Sequence, residues 1–306
     1  MKDFIKFILC LALILFILHK IDEKRCKNKK KELFDNNQKQ KLAFCFLTVN
    51  DINQPKIWNK FFDIDNSYYN IYMHPKNADN VKSFMKDYII PKYVETAWGN
   101  ISLTDATFLM LKEAYKDPNN KKMILVSDSC IPLKKLENIY KILLENDNSW
   151  FNYYKPSTYV NSHYDRIQKL DPTIKNSSFI QEQWMVLDRN HVKLIIENYI
   201  KLRYHFLKPK LIPDEILFIT LLFHLNPNMK NELQFPEHTR YEFKSHRFIT
   251  FADWYYKGRL VNSFHPITFD KVDEEVLNKL KKVNTLFARK FSNSSDIHKY
   301  WDNLVK

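Results

Sequence analysis

The stretch M-I-L-V-S-D-S-C-I-P-L, residues 123–133, constrains this chain more than any other. Four apolar residues run directly into a polar cluster and a proline, the pattern of a strand buried on both faces that ends in a turn. Such a strand belongs in an open α/β sheet covered by helices, where ligands gather beyond the carboxyl ends of the strands. Ser127, Asp128 and Ser129 are therefore expected at a cleft. The competing reading is a plain strand-to-turn junction whose polar side chains satisfy backbone amides.

The flanking pattern fits the same class. Residues 42–49 and 69–74 read as strands and 57–62 as a short helix. The capping pattern Ser102-Leu-Thr-Asp105 opens a helix through Ala114, and residues 136–144 form an amphipathic helix. Strand, helix, strand, helix, strand is the order of a doubly wound half with right-handed crossovers. Beyond it, residues 184–187 and 286–291 read as strands, and 190–200, 271–283 and 295–304 as helices. Residues 214–225 are so apolar that their helix must be buried on most sides.

Ahead of this domain, residues 7–18 are uninterruptedly apolar, a basic stretch follows, and no small-residue cleavage site is present. Residues 1–19 are expected to be an N-terminal signal-anchor crossing a membrane once, 20–40 a basic flexible stem, and 41–306 the globular domain. The heavier positive flank lies on the C-terminal side, which by the positive-inside rule keeps the large domain cytosolic. Of the formal net charge of +13, only +7 remains for residues 42–306, too little to demand a nucleic-acid partner, and none is expected. The four cysteines form neither a disulfide framework nor a C-x-x-C pattern.

Only Gly99 and Gly258 occur in the whole chain, so neither a dinucleotide fingerprint nor a P-loop can be written. If phosphates are bound, side chains must hold them. Arg289 and Lys290, inside the apolar run around Phe287 and Phe291, read either as a solvated edge strand or as a diphosphate clamp. Pro213-Asp214-Glu215 is a helix start that complements the dipole, and it also aims carboxylates at a cleft floor, where one could take a proton from a bound hydroxyl. Asp63-Ile-Asp65 resembles a metal-holding D-x-D but follows the first helix, so it reads as a surface turn. The ten histidines show no ligand spacing, and no metal or other cofactor is expected. Trp184, Trp254, Tyr255 and Tyr256 read as core residues or as platforms for sugar faces.

Several segments in order resemble the Core-2/I-branching family of glycosyltransferases, especially its plant-like branch. They are Ala43-Phe-Cys-Phe-Leu-Thr48 with Trp58 and Phe61-Phe62, Tyr69-Asn-Ile-Tyr-Met-His74, and Trp98-Gly99 with residues 102–106. Leu125-Val-Ser-Asp-Ser-Cys-Ile-Pro-Leu133, Gln183-Trp184 with Arg189, Pro213-Asp-Glu215, His265-Pro266 and Phe287-Ala-Arg-Lys-Phe291 complete the set. The resemblance implies a GT-A-type fold, a Rossmann-like mixed sheet flanked by helices. It implies inverting, metal-independent transfer of a sugar, N-acetylglucosamine or another, from a UDP-sugar to a glycan hydroxyl, in a lumenal, Golgi-like setting. Glu215 would be the general base, and Arg289 and Lys290 would hold the diphosphate. Ser127, Asp128, Ser129 and His74 would line the donor cleft, and Trp184, Arg166, Asp214 and Trp254 the acceptor side. Cys130 stands where animal members carry Asp, and the family's many disulfides are missing. The rival reading is a catalytically inactive glycan- or nucleotide-sugar-binding protein of the same fold.

Overall fold

Lys41–Thr48 (β1) is buried along all but its first residue. Its pleat sends Leu42, Phe44 and Phe46 into one hydrophobic cluster and Ala43, Cys45 and Leu47 into another. A strand apolar on both faces must lie inside a sheet with a layer on each side. In the computed structural model, which describes residues 20, 39–157, 161–239, 249–256, 259–260 and 266–305, this is what is found.

The chain divides into two compact units, Met1–Gln40 and Lys41–Lys306. The expected anchor, residues 1–19, lies outside the described residues, and of the stem only Lys20, Lys39 and Gln40 are described. Among the described residues no helix is long and apolar enough to cross a membrane.

After β1 come Pro55–Phe61 (α1), Tyr69–Pro75 (β2), Ile101–Ala114 (α2), Asn120–Ser127 (β3), Ile131–Pro132 (β4) and Leu136–Leu143 (α3). Tyr153–Tyr154 (β5), Asn161–Gln168 (α4), Pro172–Lys175 (α5), Ile180–Gln181 (β6), Val186–Asp188 (β7), Arg189–Leu202 (α6) and Leu217–Leu225 (α7) follow. Thr250–Ala252 (β8), Tyr255–Tyr256 (β9), Arg259–Leu260 (β10), Glu274–Lys282 (α8) and Phe287–Arg289 (β11) complete the regular elements.

The main sheet has the order β2-β1-β3-β7. β1 is parallel to both β2 and β3, whereas β7 runs antiparallel to β3. The expected doubly wound half thus stops at three strands, and the result is a mixed sheet. On one face Phe44 and Phe46 meet Trp58, Phe61 and Phe62 of α1 and its end, with Trp58 stacked on Phe62 at 5.6 Å and on Phe287 at 6.2 Å between ring centroids. On the other, α2, α6 and α7 pack around Phe108, Tyr199 and Phe218. A second sheet, β4-β11-β8, has β11 in the middle.

Four local expectations need correction. α2 starts one cap earlier than the pattern at Ser102 indicated: Asn100 accepts from the Ser102 amide at 3.0 Å. Ser102 itself accepts from the Ala97 amide, and Asp105 pairs with Arg203 instead of closing a capping box. The apolar helix does not begin at Asp214, because Pro213–Glu215 is a 3-10 turn and Ile216, at φ −138°, breaks it from α7. Trp184 precedes its strand, which starts at Val186. Residues 295–304 are two 3-10 turns, Asp296–Lys299 and Trp301–Asn303, in place of one closing helix.

Candidate active site

Parallel register brings the carboxyl ends of the first three strands together: Leu47 pairs with His74 on one side and with Ser127 on the other. The turn after β3 is tied to what surrounds it. The Asp128 carbonyl accepts from the Asn53 amide at 2.8 Å, and its carboxylate accepts from the Val49 amide at 3.1 Å. Ser127 and Ser129 are buried, their hydroxyls 3.1 Å apart, with the Ser127 hydroxyl 3.2 Å from the Cys130 sulfur. Both serines therefore brace the turn, and Asp128, half-buried, is its member nearest solvent.

The basic pair lies over this turn. The Phe291 amide donates to the Ser129 carbonyl at 3.0 Å, and Asn53 and Gln54 hold the Phe291 and Ser292 carbonyls, each at 2.7 Å. Arg289 is no edge cation, since β11 pairs with β4 and with β8, where Arg289 faces Ala252. Its guanidinium stacks on Trp184, 4.5 Å from the ring centroid, and among the described residues its Nε has no hydrogen-bond partner. Burial lowers the Arg289 pKa, with the Cys130 thiol and the Asp128 carboxylate pulling the other way. Lys290 is likewise lowered, by burial first and then by the Arg289 charge, with Asp128 opposing. Two adjacent cations are thus held at a cost in free energy in a partly dry site, with the Asp128 carboxylate opposing the shift of both.

The second centre is the 3-10 turn. Arg166, buried on α4, donates from Nη1 to Glu215 Oε2 at 2.8 Å, from Nε to the Leu211 carbonyl at 2.8 Å and from Nη2 to the Ile212 carbonyl at 3.1 Å. Ile212 adopts the left-handed conformation at φ 53°. One guanidinium thus fixes both the turn and the carboxylate it displays, while Glu215 keeps 38% of its side chain exposed against 7% for Arg166. Asp214 beside it is buried, and among the described residues its Oδ1 has no hydrogen-bond partner. Burial, reinforced by the Glu215 charge, pushes its carboxyl up to about 7, against the pull of Arg166.

Two loops connect the centres. His74 Nε2 accepts from the Val94 amide at 3.2 Å, which fixes the start of a loop whose Gly99 lies against Ile212. In the other, Gln181 donates to the Asp214 carbonyl at 3.5 Å and accepts from the Ile219 amide at 2.7 Å, and Trp184 three residues on carries Arg289. Trp254 is half-buried two residues beyond Ala252, the ladder partner of Arg289. The backbones at Tyr255 and Tyr256 form β9. His265 falls outside the described residues. Asp65 caps a 3-10 turn through the Ser67 amide and hydroxyl, so Asp63-Ile-Asp65 is an exposed turn. Among the described residues no group of three or more His, Cys, Asp or Glu converges as metal ligands.

Sequence reasoning named Arg166 only as an acceptor-side candidate; its grip on Glu215 spans a separation of 49 residues, which no local pattern encodes. It did not find Ser149, His191 and Glu232 at all. Ser149 Oγ lies 2.6 Å from His191 Nδ1, and His191 Nε2 lies 2.9 Å from Glu232. That order imitates a hydrolase triad, but Ser149 is fully buried and also accepts from the Asp188 amide. No substrate can reach it, so the group is a structural link.

A family model described as Core-2/I-Branching enzyme matches residues 42–281. A protein of Oryza sativa subsp. japonica described as glycosyltransferase BC10 is 28% identical over 167 residues. That match takes in 52% of this chain and 41% of the rice protein, so the chain spans less than half the length of this relative.

Proposed function

This chain belongs to the Core-2/I-Branching enzyme family, and we propose that it is an inverting glycosyltransferase that moves a sugar from a UDP-sugar to a hydroxyl of a glycan acceptor. The observation that carries the reading is the pairing of an oriented, partly exposed carboxylate, Glu215, with two neighbouring cations, Arg289 and Lys290, linked through the segment from Gln181 to Trp184.

In the proposed reaction the acceptor oxygen attacks the anomeric carbon from the face opposite the UDP. Its proton passes to Glu215 Oε1, because Oε2 is engaged by Arg166. As the new carbon–oxygen bond forms, the bond from the anomeric carbon to the diphosphate breaks, and UDP leaves with the electron pair. Arg289 and Lys290 neutralise that departing charge, the task a divalent metal performs elsewhere. N-acetylglucosamine is the first donor sugar to try. We also propose that residues 1–19 anchor the protein in a membrane, with 20–40 as a stem, 41–306 as the catalytic domain and a Golgi-like residence.

The test is Glu215→Gln in the full chain, assayed for transfer from a panel of UDP-sugars and separately for UDP binding. Transfer abolished with UDP binding intact is expected. Retained turnover removes Glu215 as the base. A parent protein that binds UDP-sugar but neither transfers nor hydrolyses it would be the inactive binding protein instead.

A further inference from the structure

Among the described residues seven large hydrophobic side chains are exposed, and three of them fall within eight residues: Ile200 at 67%, Tyr204 at 61% and Leu207 at 52%. Scattered singly, such residues need no explanation, but spacings of four and three put these on one face of a helix. The backbone that displays them is α6 and the 3-10 turn Arg203–Phe206 that continues it. Its inward positions are already filled by Val192, Ile195, Tyr199 and Phe206, all buried. Arg203 ties the stretch to α2, its Nε donating to Asp105 Oδ1 at 2.6 Å. The Tyr204 ring lies on His205, 3.9 Å between centroids. Three apolar side chains are thus held outward by a backbone packed on its other side.

The same stretch is basic. Residues 193–210 hold Lys193, Lys201, Arg203, Lys208 and Lys210 against Glu197. Lys193 pairs with Glu197 at 3.9 Å, and Arg203 with Asp105. Lys201, Lys208 and Lys210 remain, all exposed. Lys208 donates to the Lys169 carbonyl and lies within electrostatic reach of Asp171, whereas Lys201 and Lys210 have no acid partner among the described residues. An anionic bilayer surface matches both properties at once. Its acyl boundary takes Ile200 and Leu207, its headgroup level suits a tyrosine, and lysine stems reach up to the anionic headgroups. A second copy of the chain would instead set lysine against lysine across a twofold axis. Residues 1–19, proposed above as a membrane anchor, would keep such a surface available to the domain.

We propose that the end of α6 and the turn after it, Ile200 to Lys210, form a docking surface for an anionic lipid bilayer. This goes beyond the glycosyltransferase reading and does not depend on it. The apolar side chains enter the headgroup boundary, and the lysines hold the lipid phosphates and carboxylates. Each lysine at such a surface is worth about fivefold in binding, and each buried aliphatic side chain about tenfold. Contact therefore rises with the fraction of anionic lipid and falls with salt.

The experiment uses the full chain with Cys10→Ser, Cys26→Ser and Tyr204→Cys, the last labelled with an environment-sensitive nitrobenzoxadiazole; Cys45 and Cys130 are buried and escape the label. Vesicles of phosphatidylcholine alone, or mixed with phosphatidylserine at about three to one, are added. Emission should brighten and shift to the blue on the mixed vesicles only. Lys201→Glu, Lys208→Glu and Lys210→Glu combined should lose the response, and Ile200→Ser with Leu207→Ser should raise the lipid concentration it requires by at least about tenfold. Circular dichroism checks that each variant keeps the fold. No change on the mixed vesicles, an equal change on phosphatidylcholine alone, or a response that survives the three lysine substitutions overturns the proposal. So does a change without lipid that grows with protein concentration, which would mean that a second copy covers the stripe.

Discussion

Asp214→Asn should stabilise this protein, and increasingly so as pH rises. The Asp214 carboxyl is buried, lacks a partner at Oδ1 among the described residues, and is pushed from an ordinary 3.8 up to about 7 by burial and then by the Glu215 charge. Because its folded pKa is raised, the native state holds a proton that the unfolded chain releases. Stability contributed by the protonated form is complete below pH 3.8 and is lost as pH rises to about 7, above which the loss levels off. Asparagine matches the neutral carboxyl in shape and cannot ionise. The stability difference between variant and parent should therefore grow with pH, by about 2 kcal/mol between pH 5 and pH 7, where the slope is already falling off. For a domain of this size that is about 4–8 °C in Tm. Thermal unfolding followed by circular dichroism at pH 5, 6, 7 and 8 measures it, since groups remote from Asp214 titrate alike in the two proteins and cancel. A difference independent of pH would mean that Asp214 is ionised throughout in the fold, and the account of its burial would be wrong.

Arg289→Ala and Lys290→Ala should each weaken UDP binding by about 10- to 100-fold in calorimetry, the worth of one charge-assisted hydrogen bond; if both bind UDP like the parent, the clamp fails. Transfer should survive EDTA, and loss restored by manganese would bring a metal, with Asp63 and Asp65 as candidates, back into the mechanism. Arg166→Met should lower kcat by about tenfold or more with the UDP Kd unchanged, since it frees Glu215 and the two carbonyls behind it. A kcat equal to the parent's would show that the guanidinium does not orient the base.

The strands were legible in the sequence because a continuous apolar run with a turn at each end declares a strand buried on both faces whatever else the chain does. β1, β2, β3 and α3 fall within one to three residues of their expected bounds for that reason. Errors gathered where tertiary contacts overrule local pattern. Asn100 took the cap from Ser102 because the turn before it needs Ser102 Oγ for the Ala97 amide. The Asp214 helix start became a 3-10 turn because Arg166, arriving from α4, bonds the Leu211 and Ile212 carbonyls and fixes the chain ahead of it. Trp184 read as a strand residue, but its ring instead receives the Arg289 guanidinium from β11, 105 residues on by the numbering.

That last contact bears on how a site without glycine-rich backbone can hold a diphosphate. A guanidinium on the middle strand of a sheet loses hydration, and a desolvated stack on an indole returns about 2 kcal/mol, on the order of what one lost hydrogen bond costs. The stack orients the fork, and among the described residues Nε has no hydrogen-bond partner. In the proposed reaction an arriving anion can pair with that nitrogen. Trp184 belongs to the same short segment as Gln181, which holds the Asp214 carbonyl and the first turn of α7. Under the proposed mechanism, a substitution at Trp184, which touches Arg289 and lies three residues from Gln181, should therefore disturb both UDP affinity and turnover, where one at Lys290 disturbs affinity first.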